Sequence, residues 1–216
     1  MEEAGVMAVE HGAIVPVLRL ASASPRRRLI MKLAGIPCVV SPVDVPEDGG
    51  KPGDAPPAVA LANAGRKALA SAGAAGTEPP IWTLGADTIV VLGDRILGKP
   101  RDEDEARSMI RDLSGRKHTV VTAWALVRGG GIVEVGHSST VVEFRDLHGS
   151  RIDDYVGSME WTDKAGGYAI QGLGAALIRA IEGDPFNVMG LPIGDVVDAL
   201  LGRGVIPRHP ASRPGG

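Results

Sequence analysis

The chain divides into short apolar runs separated by breaks rich in Gly, Pro and acidic residues, and the spacing of the runs predicts alternating strands and helices. Val15–Ala21 reads as a strand and Pro25–Ala34 as a helix stopped by Gly35. Ile36–Ser41 predicts a second strand, and Pro42–Pro56 a mobile loop. An Ala-rich helix is expected over Pro57–Ala72. Two short apolar runs follow, Ile81–Leu84 and Ile89–Leu92, interrupted by Gly85-Ala86-Asp87-Thr88. Asp102–Leu113 has acids in its first turn and Arg111 in its last, as a helix dipole favours. His118–Val127 and Ile132–Phe144 predict two long strands joined by a turn at Gly129-Gly130-Gly131. A short helix (Arg151–Gly157), a strand (Ala175–Ile181) and a final helix (Leu191–Leu201) complete the pattern. Helices alternate with strands, but the long hairpin breaks the alternation. The expected fold is therefore α/β with a mixed, strongly twisted sheet flanked by helices. Residues 1–14 read as a flexible extension, 15–204 as the folded domain, and 205–216 as a flexible tail. There is no internal repeat.

Composition narrows the class. At 216 residues and 44% hydrophobic, the chain supports one domain, or two small lobes sharing a sheet. The net charge of −3 provides no overall basic field for nucleic acid, so any anion site must be local. Aromatics, at 3%, are too few for base-stacking platforms. The single cysteine, Cys38, excludes an intrachain disulfide and a multi-cysteine metal site, and its apolar setting predicts a buried, inert thiol. No apolar run reaches membrane-spanning length, and the N-terminus lacks a secretory pattern. The expectation is a cytoplasmic protein without membrane or nucleic-acid partners. His118 reads as structural. The other histidines show no metal-ligand spacing.

Four segments carry candidate chemistry. In Ser22-Ala23-Ser24-Pro25-Arg26-Arg27-Arg28, Ser24 suits an N-cap and Pro25 the first helical position. Arginines in a first turn stand at the unfavourable end of the helix dipole, so an anion should offset them. Helix-start N–H groups, hydroxyls and Arg forks together suit phosphate or carboxylate. A solvated basic helix start is the other reading. Asp87 is costly to bury unless paired or metal-bound, and Gly85 would let a ligand approach the backbone. A turn-forming Asp is the alternative. Gly93 to Lys99 has P-loop spacing, but Pro100 stands where Ser or Thr is required, which excludes a Walker-A site. Lys99 is left either as a point charge for phosphate or as a solvated lysine. In Asp163 to Gly172, Gln171 offers a planar donor and acceptor that suit a uracil or thymine edge. An ordinary glycine-rich loop is the alternative. Lys67 and Glu47, taken alone, read as surface residues. Together the pieces suit a polyphosphate, with carboxylates able to hold a hard divalent metal or to orient water.

In order, these segments resemble the Maf family of nucleoside triphosphate pyrophosphatases. The likeness runs from Leu18 to Leu200. It includes Leu20 to Arg28, Gly85 to Val91, Leu97 to Pro100, Leu113 to Thr122, Asp163 to Gly172 and Val188 to Pro192. The resemblance implies a two-lobed fold of the inosine-triphosphate-pyrophosphatase type with a central cleft. It implies metal-dependent hydrolysis of a nucleoside triphosphate to monophosphate and pyrophosphate, with magnesium or manganese as cofactor. By motif position, Ser22, Arg26, Arg27, Lys67 and Lys99 would hold phosphates, and Asp87 would be the proton acceptor. Glu47 would be a second functional acid, and Glu47 with Asp87 the metal ligands. Pro46 departs from the family's usual acidic pair, so Asp44 could share or replace the role of Glu47. Arg26, Thr88 and Gln171 match the branch acting on dTTP, UTP and their modified relatives, rather than the branch preferring 7-methyl-GTP. Two rival readings are a non-hydrolysing nucleotide-binding regulator of cell division and a purine-directed pyrophosphatase. By family analogy a homodimer is plausible, and no sequence feature establishes it.

Overall fold

A computed structural model of the protein describes residues 9–10, 13–14, 18–51, 53–74 and 82–207. Its elements in chain order are β1 (Val9–Glu10), β2 (Ala13–Ile14), β3 (Leu18–Leu20), α1 (Pro25–Leu33), β4 (Cys38–Val40), α2 (Pro56–Ala74), β5 (Trp82–Leu92) and β6 (Arg95–Leu97). There follow α3 (Glu103–Leu113), β7 (Lys117–Arg128), β8 (Gly131–Phe144), α4 (Gly149–Gly157), β9 (Ile178–Glu182), α5 (Pro185–Met189) and α6 (Ile193–Gly202). Two 3₁₀ turns, Ala165–Gly167 and Gly172–Leu177, lie between α4 and β9.

Seven strands form one mixed sheet in the order β4-β3-β5-β7-β8-β9, with β6 pairing β5. β4, β3 and β5 are parallel, and each of β7, β8 and β9 runs antiparallel to the strand before it in that order, beginning from β5. The expected mixed α/β class is therefore the observed one. The β7–β8 hairpin turns through Gly129 (φ 59) and Gly130 (φ 80), where an L side chain would be strained.

Strand periodicity divides the interior into three cores. On one face of the sheet, Leu84 and Ala86 of β5 with Trp124 and Leu126 of β7 pack under α1 and α6. Farther along the same face, Val90 of β5 and Val120 of β7 pack with Ile110 and Leu113 of α3. Between these two cores the same face carries Thr88 and Thr122, directly paired across β5 and β7. That polar seam separates the two cores on this face. On the other face, Ile89 and Val91 of β5 and Val121, Ala123 and Ala125 of β7 pack on Ala60, Ala64 and Ala68 of α2.

Gly85-Ala86-Asp87-Thr88 does not interrupt the strand: β5 runs unbroken through it. What changes there is the neighbour. β3 pairs β5 only as far as Leu84, and β6 pairs it only from Val90 onward. Residues 85–89 therefore have no strand partner on that edge; Asp87 and Thr88 line a cleft there, while Gly85, Ala86 and Ile89 pack against the interior. Gly85 also has a different purpose from ligand approach. A Cβ on it would lie 2.4 Å from the Ala64 carbonyl oxygen and 2.7 Å from the Ala68 nitrogen, so the glycine lets α2 press against the sheet.

Smaller differences have local causes. α5 has no counterpart in the sequence pattern, because five residues are too short to show a helical period. The predicted final strand starts later, at Ile178, because Gly172–Leu177 turns as 3₁₀. Val205, assigned by sequence to the tail, is buried in the core under α6, and its N–H donates to the Leu200 carbonyl at 2.8 Å. Within the predicted extension, β1 and β2 pair as a two-stranded ribbon. The rest of that extension and the tail from Arg208 lie outside the described residues.

Candidate active site

The cleft at the bare edge of β5 is a cavity of about 410 Å³. Its walls come from the Ala21–Arg27 turn, the Val43–Glu47 stretch, α2, β5, Lys99, and the Asp163–Ile170 segment. Five cationic side chains face it (Arg26, Arg27, Lys67, Lys99, Lys164) against three acids (Glu47, Asp87, Asp163), so the site is locally positive in an acidic chain.

Asp87 is 4% exposed and faces α2. Its Oδ1 accepts from Lys67 Nζ at 2.6 Å and its Oδ2 from Asn63 Nδ2 at 2.9 Å. Both donors stand on one face of α2, four residues apart. Burial of a lone carboxylate is costly, and these two donors offset it. Lys67 Nζ also donates to Glu47 at 2.7 Å, and Lys99 Nζ reaches the same carboxylate at 2.9 Å. Burial raises the Glu47 pKa, but hydrogen bonds and charge from Lys67 and Lys99 outweigh this and hold it at about 2. The loop that sequence marked as mobile is thus tied down at Glu47. It is tied again at Asp48, whose N–H donates to Asn63 Oδ1 and whose carbonyl accepts from Asn63 Nδ2, both at 2.9 Å. Asp44, the alternative acid, is exposed and does not line the cavity.

The Ser-Pro-Arg turn is built differently from the sequence expectation. Ser24 occupies the N-cap of α1, but its side chain makes no capping bond. Ser22 supplies the hydroxyl instead. It accepts from the Ser24 N–H at 3.2 Å and from Arg27 Nη1 at 3.1 Å. Arg27 turns inward to 8% exposure. Its Nε donates to the Gly190 carbonyl at 2.7 Å and its Nη2 to Thr88 Oγ1 at 3.1 Å. No carboxylate forms an ion pair with Arg27 among the described residues. Burial therefore pushes its pKa below the ordinary arginine value, opposed by the charge of Asp87 and reinforced by that of Arg26. Arg26 is half-buried on the cavity wall. Its pKa is lowered by burial and sustained partly by Asp163. Burial, with Arg26 nearby, also lowers the Lys164 pKa. Two buried or half-buried guanidiniums with so little counter-charge suit an anionic ligand.

The structure brings together Ser22, Arg26, Arg27, Glu47, Lys67, Asp87, Thr88 and Lys99. It does not bring Gln171 to the wall. That residue is exposed and follows Ile170, the last lining residue of its segment. Tyr168 does line the cavity, and its hydroxyl meets His118 Nε2 at 2.6 Å. His118 is structural as expected, and burial lowers its pKa to about 4. Cys38 is only half-buried, and burial raises its pKa, as an inert thiol requires. Sequence reasoning missed Asn63, Thr122 and Asn187. Asn63 carried a signal: it is the one amide in an Ala-rich helix, four residues before Lys67. Among the described residues, no three His, Cys, Asp or Glu side chains gather as a metal cluster. No helix among them is long and apolar enough to cross a membrane.

A mixed α/β domain whose cleft sets a buried carboxylate among lysines and arginines defines a binding site for a polyanion beside a potential acid–base group. The chain belongs to the family of Maf-like proteins, which it matches over residues 17–202. It is 47% identical over 174 residues to a dTTP/UTP pyrophosphatase of Pyrococcus furiosus, covering 81% of this chain and 88% of that one. It is 44% identical to the dTTP/UTP pyrophosphatase of Thermus thermophilus, covering 91% and 100% of the two chains. To that of Symbiobacterium thermophilum it is 46% identical, covering 85% and 92%. Among solved structures, the nucleoside-triphosphatase/dITP/XTP pyrophosphatase of Mycobacterium abscessus aligns at 17% identity and a TM-score of 0.44, covering 88% of this chain and 98% of that one.

Proposed function

We propose that the protein hydrolyses dTTP and UTP, together with modified pyrimidine nucleoside triphosphates, to the monophosphate and pyrophosphate, and that it does so in the cytoplasm as a guard on the nucleotide pool. The observation that carries this reading is the Asp87 carboxylate held between Lys67 and Asn63 in a cleft with five cationic side chains. Sequence similarity to enzymes of that name supports the choice of substrate.

Arg26, Arg27, Lys67 and Lys99 surround the triphosphate and neutralise the leaving pyrophosphate, while Ser22 fixes the turn that presents the two arginines. Most of the rate then comes from positioning and charge stabilisation. Water attacks the α-phosphorus, the bond to the bridging oxygen breaks, and pyrophosphate leaves. Asp87 orients that water or takes its proton. Glu47 and Asp87 fit a magnesium or manganese ion, since both offer hard oxygen ligands and Lys67 now sits against both. Glu47 and Asp87 supply only two carboxylates, so phosphate oxygens and water would complete the shell. A bound ion would supply charge neutralisation at the phosphate oxygens. Arg26 and Thr88 on the wall, with Gln171 one residue beyond it, are the base-selecting set.

The test is a nucleotide panel. Purified protein with magnesium or manganese meets dTTP, UTP, CTP, 7-methyl-GTP, GTP, ATP and ITP, with products resolved by chromatography. Monophosphate and pyrophosphate from dTTP and UTP are expected. Preference for 7-methyl-GTP or ITP would overturn the substrate, and binding without turnover under both metals would overturn the reaction.

A further inference from the structure

The polar seam between the two cores holds a hydrogen-bond chain whose direction the chemistry fixes. Arg27 Nη2 donates to Thr88 Oγ1 at 3.1 Å. Thr88 Oγ1 lies 2.9 Å from Thr122 Oγ1. Thr122 Oγ1 lies 2.8 Å from the Asn187 carbonyl oxygen. A carbonyl accepts only, so the single Thr122 hydroxyl proton points to Asn187. Thr88 must then donate to Thr122, and its oxygen is free to receive Arg27. Every link runs outward from the guanidinium. The chain ends on α5, where Asn187 is fully buried. Asn187 is itself pinned, with Oδ1 receiving the Thr122 N–H at 3.1 Å and Nδ2 donating to Val120 and Thr140, both at 2.9 Å. Just after α5, the Gly190 carbonyl receives Arg27 Nε at 2.7 Å. Arg27 is thus gripped from both sides of one short helix. Three of its five N–H groups are used, which leaves one on each terminal nitrogen.

We propose that Thr122, which lies behind the cleft wall and does not line it, is a positioning residue for phosphate recognition. It terminates a one-way hydroxyl relay that fixes the plane of the Arg27 guanidinium, so that its two remaining N–H groups meet the substrate. The proposal rests on the reading of the cleft as a nucleoside triphosphate site. Beside its place in the base-selecting set, Thr88 gains a second role through Arg27, because its hydroxyl is bonded to both Arg27 and Thr122.

The experiment compares Thr122→Val, Thr122→Ser, Thr88→Val and the double variant Thr88→Val/Thr122→Val. It reads KM and kcat for dTTP, and pyrophosphate affinity by calorimetry. Thr122→Val is expected to lower kcat/KM about tenfold, mostly through KM, because the phosphate charge is present before and during reaction. Pyrophosphate affinity falls by the same factor. Thr122→Ser returns both to within about twofold, since it keeps the hydroxyl. The double variant is no worse than the poorer single one, because either break opens the same relay. If Thr122→Val does not fold, Thr88→Val cuts the relay at a partly exposed position, with the same expected loss of affinity for pyrophosphate, which carries no base. Unchanged constants in either Val variant, equal damage in Thr122→Ser, or additive losses overturn the relay. A wild-type protein that neither binds pyrophosphate nor turns over dTTP overturns the functional reading instead.

Discussion

Gly85→Ala separates two accounts of one glycine. If Gly85 made room for a ligand, the added methyl would raise KM and leave stability alone. The geometry says otherwise. The new Cβ would lie 2.4 Å from the Ala64 oxygen, 2.7 Å from the Ala68 nitrogen and 2.8 Å from the Ala68 Cβ. None of these atoms is at the end of a flexible side chain. Restoring an ordinary contact of about 3.5 Å requires α2 to retreat by about 1 Å. Overpacking of this kind costs about 1–3 kcal/mol, and the rigid neighbours put this site at the upper end. At about 3 kcal/mol the Tm falls by roughly 6–12 °C for a chain of this size. The same retreat draws Lys67 and Asn63 away from Asp87, which they now hold at 2.6 and 2.9 Å. Turnover should therefore fall together with stability. Urea unfolding and thermal melts, paired with kcat for dTTP, check both. A Gly85→Ala protein with wild-type Tm and only a raised KM would refute the packing argument and restore the ligand account.

Three further outcomes follow from the same geometry. Asp87→Asn keeps the shape of the side chain but removes its charge and basicity, so kcat for dTTP should fall by at least about a hundredfold with a near-normal melt; a variant that retains turnover removes Asp87 from the chemistry. Asn63→Leu frees both the Asp87 carboxylate and the Asp48 backbone, so kcat should fall about tenfold and limited proteolysis should cut between residues 41 and 55 sooner; wild-type resistance there would show that the loop is held by Glu47 alone. His118 titrates at about 4 when folded, because burial disfavours its cation. Below the ordinary histidine value of about 6.5 the unfolded chain takes up a proton first, so stability is full above that pH. It is then lost as pH falls toward 4, by about 3 kcal/mol. Unfolding free energies at pH 7 and 4.5 in wild type and His118→Leu measure this, and an equal slope in both assigns the acid sensitivity elsewhere.

The fold class was legible because its long elements carry strong periods. β7 and β8 were found within two residues of their ends, and α1 and α3 within one. The misreadings share a cause. Gly85 to Thr88 looked like a break because small and polar residues within an apolar run usually mark a turn. Here they mark a strand whose partner ends at Leu84 and whose next begins at Val90, and pairing partners far along the chain cannot be read from local pattern. α5 stayed hidden for a related reason, since its five residues are held by Asn187 against β7 and β8 rather than by any amphipathic stripe. Site residues were legible where charge was odd in its setting, as with Asp87 among apolar neighbours and three arginines opening a helix. Asn63 and Thr122 were not, because amides and threonines are common and only their distant partners give them meaning.

The charges of the cleft divide into two groups that are satisfied differently. Lys67 lies between two carboxylates, 2.7 Å from Glu47 and 2.6 Å from Asp87, and Lys99 closes on Glu47 from the other side. Acids and lysines therefore screen one another, while Arg27 is held by neutral oxygens of Gly190, Ser22 and Thr88. Neutral acceptors satisfy hydrogen bonds but leave the positive charge in place, and burial makes that charge costly. On the proposed function, an arriving triphosphate would relieve Arg27 directly. It would also compete with Glu47 and Asp87 for the lysines and so free carboxylate oxygens beside the phosphates. Binding the anion would then release the groups assigned to the hydrolysis, and the buried setting of Arg27, with no ion-paired carboxylate among the described residues, would direct the anion to that end of the cleft.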